Sequence, residues 1–118
     1  MKGHRYLEVW QKSMQFVTDL YHETAAFPKQ ELYGLTNQLR RAAVSVPSNI
    51  AEGCGRSTKK EFHQFLCHAR GPLSEVETHM EIGRNLGYIS EQRFRELLTK
   101  TSEVGRMLNG LRSWCEAA

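Results

Sequence analysis

One stretch of the sequence repeats apolar and small residues at alternating steps of four and three. The positions are Phe62, Leu66, Ala69, Leu73, Val76, Met80 and Gly83. An α-helix has 3.6 residues per turn, so this spacing places all of them on one face. The mean step of about 3.5 residues is typical of helices that pack together in left-handed bundles. The stretch therefore predicts a long helix packed against other helices.

The same rhythm occurs in three other segments, and the period-two alternation typical of half-buried strands is absent. Pro28 separates the first two segments, because proline disfavours helix in the residue before it. Thr58 and Glu61 have the spacing of a capping box, and Gly87 followed by Ser90 indicates the end of one helix and the start of another. The predicted helices are at about residues 6–25, 32–53, 58–86 and 90–115.

Four amphipathic helices with short connections predict an all-α fold, an antiparallel up-down four-helix bundle. The length of 118 residues suits a single domain, residues 1–118. Pro47 lies inside the second predicted helix and Pro72 inside the third. A proline in a helix interior removes a hydrogen bond and clashes with the preceding turn, so we predict a bend at each.

The first segment carries more apolar side chains than one core face requires. One stripe contains Tyr6, Trp10, Met14, Val17 and Tyr21, and it is broadened by Val9, Phe16, Leu20 and Phe27. Such a wide apolar surface predicts a second buried contact in addition to the core.

Composition and cysteine spacing exclude several other classes of protein. Apolar residues make up 40% and charged residues 25%, which is typical of a globular domain. The apolar runs are too short for a membrane helix or a signal peptide, so we expect a cytoplasmic protein with no membrane contact. Cys54, Cys67 and Cys115 form no C-x-x-C pair, which argues against a disulfide framework or a zinc site. No cofactor and no metal are predicted.

The second segment contains the most distinctive stretch of the chain. It reads QLRRAAVSVPSNIAEG from Gln38 to Gly53, after LEVWQK from Leu7 to Lys12 and ELYGLT from Glu31. These stretches resemble the four-helix-bundle proteins encoded in intervening sequences of bacterial 23S rRNA genes. The resemblance implies a homopentameric ring of unsettled function. A related branch, the accessory variability determinant of diversity-generating retroelements, binds nucleic acid and a reverse transcriptase.

Polar side chains line one face of the second predicted helix at steps of four and three residues. They are Arg41, Ser45, Asn49, Glu52 and Arg56. One interpretation is a hydrogen-bonded and ion-paired seam between helices or subunits, because buried polar groups need partners. The other is a ligand site. We favour the seam for Arg41, Ser45, Asn49 and Glu52.

Basic side chains in two places leave two interpretations open, contact with phosphate or a solvated basic face. Arg56, Lys59 and Lys60 lie beside the start of the third helix, where free N–H groups and the helix dipole favour anions. The fourth segment carries a polar stripe without a carboxylate: Arg95, Thr99, Ser102, Arg106, Asn109 and Ser113. Its remaining charges, Arg93, Glu96, Lys100 and Glu103, alternate in sign and predict an ordinary solvated face with weak ion pairs along the helix.

These patterns favour a non-enzymatic oligomeric adaptor whose ring presents basic patches to structured RNA, DNA or an RNA–DNA hybrid. The predicted contacts are Arg56, Lys59, Lys60, Arg95, Arg106 and Arg112. The alternative is a protein-interaction scaffold, such as an accessory subunit of a reverse transcriptase, with no direct contact to nucleic acid.

An enzymatic function would have to rest on cysteine chemistry. Nearby positive charge and a helix N-terminus could lower the pKa of Cys54, but no general base is close to it in sequence. His63 and Cys67 are one helical turn apart, and a zinc site would need further ligands. We predict no catalytic residue.

Overall fold

The computed structural model describes residues 3–117. Its four α-helices are α1 (Glu8–Thr24), α2 (Leu35–Cys54), α3 (Lys59–Asn85) and α4 (Glu91–Glu116). Short 3-10 helices, His4–Tyr6 and Lys29–Glu31, precede α1 and α2, and no strand occurs in the described range. The prediction of an all-α chain with four helices is confirmed. The predicted domain, residues 1–118, also includes residues 1, 2 and 118, which lie outside the described residues.

Each helix packs against the next along the chain, and α1 also packs against α4. The short connections reverse the chain direction each time, so the helices form a closed antiparallel bundle of 47 × 23 × 20 Å. The turns from α1 to α2 and from α3 to α4 lie at one end of the bundle, and the turn from α2 to α3 lies at the other. No helix within residues 3–117 has an apolar stretch long enough to cross a membrane.

The predicted helix caps are present. The Thr58 hydroxyl oxygen accepts a hydrogen bond from the Glu61 backbone N–H at 3.1 Å, and Ser90 accepts one from Arg93 at 3.1 Å. Gly87 follows α3 with a φ of 80°, a conformation that a side chain would strain. The boundaries of α3 and the start of α4 are therefore set by local side-chain chemistry.

The second helix begins at Leu35, three residues after the predicted start at residue 32. Lys29–Glu31 forms a 3-10 helix instead, and a Glu31 carboxylate oxygen accepts a hydrogen bond from the Leu35 N–H at 3.2 Å. The other carboxylate oxygen of Glu31 accepts a hydrogen bond from the Tyr88 hydroxyl at 3.1 Å. This hydrogen bond to Glu31, together with burial, raises the pKa of Tyr88. One carboxylate thus caps α2 and links the two turns at this end.

The core consists of two apolar clusters stacked along the bundle. Leu20, Leu39, Met80 and Leu97 belong to the cluster nearer Glu31. The second cluster is nearer the α2–α3 turn and includes Ile50, Phe62, Leu66 and Leu108. The predicted face of α3 is buried in these clusters from Phe62 to Gly83. Both α2 and α3 continue through their internal prolines, Pro47 and Pro72.

The first helix buries a different stripe from the longer one seen in the sequence. Its buried apolar residues are Val9, Phe16 and Leu20. Tyr6 is 72% exposed, and Met14 and Tyr21 are each 40% exposed. Part of the broad apolar surface is therefore exposed, and the second buried contact stays a prediction.

Candidate nucleic-acid interface

Charge is unevenly distributed along α3. Its first half contains Lys59, Lys60 and Arg70 with one carboxylate, Glu61. Its second half has the opposite balance: Glu75, Glu77 and Glu81 with Arg84. Arg56 lies in the turn before α3, so positive charge gathers where the chain passes from α2 to α3. Arg56, Lys59 and Lys60, all exposed, are called the basic end below.

The basic end carries positive charge that nearby carboxylates only partly neutralise. The Arg56 guanidinium pairs with Glu52 at 2.7 Å and lies 4.8 Å from the centre of the Phe65 ring. Lys59 Nζ lies 4.1 Å from the centre of the Trp114 ring. Within residues 3–117, no carboxylate lies within ion-pairing distance of Lys59 or Lys60. Both lysines therefore remain available to an anion at the N-terminus of α3.

The carboxylate-free stripe of α4 lies on the outer surface of the bundle. All six of its residues are exposed: Arg95, Thr99, Ser102, Arg106, Asn109 and Ser113. The Arg95 side chain is 78% exposed and lies 3.7 Å from a Glu91 oxygen. A rise of 1.5 Å per residue separates Arg95 from Arg106 by about 16 Å along the helix axis. Arg106 therefore lies in the half of α4 nearer the basic end, and Arg95 lies in the other half.

Arg112 is less available than the other predicted contacts. Its side chain is partly buried, and one of its terminal nitrogens donates to the Asn109 side-chain oxygen at 3.3 Å. Its Nε is buried and has no hydrogen-bond partner among the described residues. Packing against the bundle thus restricts Arg112 as a contact for phosphate.

The prediction of an ordinary solvated face on α4 is right only in part: Arg93 pairs with Glu96 along the helix, but Arg93 and Lys100 also pair with carboxylates of α1. Arg93 of α4 pairs with two residues of α1, Asp19 at 3.1 Å and Glu23 at 2.7 Å. Lys100 of α4 also pairs with Asp19, at 2.6 Å. These charges bridge α1 and α4 because α1 packs beside this face of α4. Burial opposes ionisation of Asp19, but the hydrogen bonds and charges of Lys100 and Arg93 outweigh it and lower the Asp19 pKa. Arg93 is therefore held, partly exposed, in the contact between α1 and α4.

Asn49 and Glu52 on the polar face of α2 have partners within this helix or in the turn after it. Asn49 Nδ2 donates to the Ser45 backbone oxygen at 2.8 Å and to the Ser45 hydroxyl at 3.1 Å. Glu52 pairs with Arg56 at the end of the same helix. Arg41 is exposed. Ser45 and Asn49 are partly buried, and a seam between helices or subunits stays a prediction.

An apolar groove runs beside this polar face, between α1 and α2. Its volume is about 350 Å³. The lining residues are His4, Trp10, Met14, Val17, Val44, Pro47, Ser48 and Ala51. Val44 is 40% exposed, as Met14 is. The sequence pattern indicated the α1 side of this groove, but Val44 and Pro47 join it only because α2 packs alongside.

The structure does not support the sequence arguments for cysteine or metal chemistry at Cys54. Burial raises the pKa of Cys54, which contradicts the lowered pKa expected from its basic neighbours. Cys67 Sγ lies 3.8 Å from His63 Nδ1, while His63 Nε2 lies 2.8 Å from a Glu116 oxygen. The two partners of His63 lie on opposite edges of its ring. In residues 3–117, no three His, Cys, Asp or Glu side chains are grouped to hold a metal ion.

Comparisons with known proteins agree with this architecture. Residues 5–110 match the family described as 23S rRNA-intervening sequence protein. A solved structure from Bacteroides thetaiotaomicron, a protein of unknown function from the S23 ribosomal protein family, has the same fold. It superposes with a TM-score of 0.78 at 21% identity, covering 88% of this chain and 97% of its own. No curated protein sequence matches the chain.

Proposed function

This chain belongs to the 23S rRNA-intervening sequence protein family, and we propose that it is a non-enzymatic, oligomeric adaptor that binds nucleic acid. The expected ligands are structured RNA, duplex DNA or an RNA–DNA hybrid. The observation that carries the proposal is the basic end, where Lys59 and Lys60 have no carboxylate within ion-pairing distance in the described residues.

The chemistry of the basic end suits the phosphate backbone. Lysine ammonium groups attract phosphates as point charges, and the N-terminus of α3 adds partial positive charge. The guanidinium of Arg56 adds a planar group with several donors. None of these contacts distinguishes one base from another, so we expect binding that depends on charge and shape and not on sequence.

We further propose that the chain assembles into a homopentameric ring, the state that the family resemblance implies. The apolar groove between α1 and α2 supports an assembly of copies, because its partly exposed methionine, valine and tryptophan side chains would be buried by a neighbour. A ring would present the basic end several times and strengthen binding without new contacts in each subunit.

Reversing charge at the basic end is expected to weaken binding to nucleic acid. In the variant Lys59→Glu/Lys60→Glu, the lost phosphate contacts should make the slope of log affinity against log salt shallower by about 2 per bound subunit. Fluorescence anisotropy of labelled RNA, DNA and hybrid over a salt series measures this slope. The variant Arg95→Glu/Arg106→Glu tests the α4 stripe separately.

A matched control is Lys29→Glu, an exposed lysine at the opposite end of the bundle. It changes the net charge by −2, half of the −4 in each double variant, and should alter the slope by much less than half as much. Losses in proportion to the charge change in all three variants would indicate an effect of net charge only. If the wild-type protein binds none of the three nucleic acids at low salt, the proposal fails, and a protein-interaction scaffold, with a reverse transcriptase as a candidate partner, becomes the better hypothesis.

Introducing a charge into the α1–α2 groove is expected to dissociate the oligomer. Val44→Asp would bury an unpaired carboxylate at a subunit contact, which is strongly unfavourable. Light scattering with size-exclusion chromatography should show the variant as monomer at concentrations where the wild type is assembled. Ile82→Asp is the control, since Ile82 on α3 is 41% exposed and Val44 is 40% exposed. Dissociation by Ile82→Asp alone would move the interface to α3.

A further inference from the structure

His63 joins two functional groups that belong to different helices. On one edge of its ring, Nδ1 lies 3.8 Å from the sulfur of Cys67, one turn further along α3. On the other edge, Nε2 lies 2.8 Å from a carboxylate oxygen of Glu116 at the end of α4. The order thiol, imidazole, carboxylate is the arrangement in which a histidine removes a proton from a nucleophile while an acid orients the ring.

The carboxylate contact assigns the proton on the neutral imidazole. Glu116 can only accept a hydrogen bond when ionised, so Nε2 carries the hydrogen that it donates to Glu116. Nδ1 then presents its lone pair toward Cys67. The ring is held in position by a contact between two helices, and its side chain is 26% exposed.

Cys67 differs from the other two cysteines in its chemical surroundings, since its sulfur lies beside an imidazole nitrogen. Burial raises the pKa of the Cys54 thiol and of the Cys115 thiol. Cys67 is partly exposed, and Gly71, one turn further on, has open space where a side chain would begin. A small reagent can therefore approach this side of α3.

We propose that Cys67 is a reactive thiol, with His63 as its base and Glu116 as the positioning residue, that takes modification by small disulfides. In the step, His63 Nδ1 accepts the thiol proton and the Cys67 sulfur attacks one sulfur of the disulfide. A new S–S bond forms to Cys67, the original S–S bond breaks, and the leaving thiolate takes the proton from His63. The exchange begins and ends with one thiol and one disulfide, so no other oxidant is needed. This site is independent of the proposed binding to nucleic acid.

The test measures the alkylation rate of each cysteine in the full-length protein at pH 7, with iodoacetamide as the probe and peptide mass spectrometry as the readout. We expect Cys67 to react about tenfold faster than Cys54 and Cys115, because the thiolate is the reacting species. His63→Gln should remove this advantage and Glu116→Gln should reduce it. His68→Gln, which changes a histidine of α3 that contacts Phe65 instead of a cysteine, should leave it unchanged. Oxidised glutathione should then form a mixed disulfide at Cys67 first.

Equal rates for the three cysteines, or an unchanged Cys67 rate in His63→Gln, would overturn the proposal. If His63→Gln does not fold, the pH profile of the wild type decides. The groups around the site that titrate or carry charge are His63, Lys59 and Arg70 on α3 and Cys115 and Glu116 on α4. A Cys67 rate that already rises near the usual imidazole pKa of about 6.5 supports the pairing, whereas a rise only near about 8.5 contradicts it.

Discussion

Replacing Gly53 with alanine is expected to lower the free energy of unfolding by about 1–3 kcal/mol. A Cβ at this position would lie 2.6 Å from Cβ of Phe65 and 2.9 Å from Cδ1 of Phe62. The Phe65 Cβ is attached directly to the backbone of α3 and cannot rotate away. Helices α2 and α3 would therefore have to move apart at the end where they pack most closely, which disturbs the core around Phe62.

Urea denaturation followed by circular dichroism measures this change, with protein concentration fixed because assembly adds to stability. The control is Gly110→Ala in α4, where the added Cβ would have no atom of another described helix within 4 Å. The unfolded chain has less conformational entropy with alanine than with glycine. This control should therefore raise the free energy of unfolding by about 0.5–1 kcal/mol. If Gly53→Ala is as stable as Gly110→Ala, then α2 and α3 do not approach as closely as described.

Replacing Arg93 with methionine is expected to lower the free energy of unfolding by about 1–2 kcal/mol, less than a fully buried ion pair because the site is partly solvated. Arg93 is the ion-pair partner of Glu23, whose side chain is 17% exposed, and it shares Asp19 with Lys100. Methionine keeps the apolar stem but leaves Glu23 without that positive charge. The contact between α1 and α4 should weaken.

The matched control is Arg95→Met, two residues further along α4. Arg95 is 78% exposed and has one 3.7 Å contact with Glu91, so the change should stay within about 0.5 kcal/mol. The two variants are compared by urea denaturation at pH 7. Equal effects would show that the pairs between α1 and α4 contribute no more than a surface contact.

The same network should make the bundle sensitive to acid. The pKa of Asp19 is lowered in the folded protein, so the unfolded chain binds its proton more readily. The contribution of Asp19 is present above its unfolded pKa of about 3.9 and is lost as pH falls through its folded pKa. As the pH falls through the folded pKa of Asp19, the free energy of unfolding should decrease less in Arg93→Met than in the wild type. The variant already lacks the ion pair between Arg93 and Asp19.

Much of the fold could be predicted from the sequence because helix formation and capping are local. The spacing from Phe62 to Gly83 specifies a buried face wherever the helix packs, and Thr58 and Ser90 cap the helices that follow them. The start of α2 at Leu35, three residues after the predicted one, depends on contacts that are not local. Its cap comes from Glu31, whose side chain is positioned by a 3-10 turn and by the Tyr88 hydroxyl, 57 residues away.

The candidate sites were only partly predictable. Lys59 and Lys60 are adjacent to a helix start in the sequence itself, so their place at the N-terminus of α3 follows from local structure. The sequence also pairs His63 with Cys67 at helical spacing, but Glu116 comes from another helix and gives the pair its direction. Nothing in the sequence pattern indicated that Val44 lines a groove, because the groove exists only where α1 lies beside α2.

The sequence by itself determined that this chain forms four amphipathic helices, where most of them begin and end, and that its composition is globular with a small excess of positive charge. The tertiary structure decided which apolar stripe of α1 is buried and which of two nearby arginines, Arg93 or Arg95, pairs with carboxylates of α1. Periodicity reports which residues share a face of a helix, because that depends on 3.6 residues per turn. Which face meets a neighbour depends on packing between residues distant in sequence, such as Arg93 with Asp19 and Glu23.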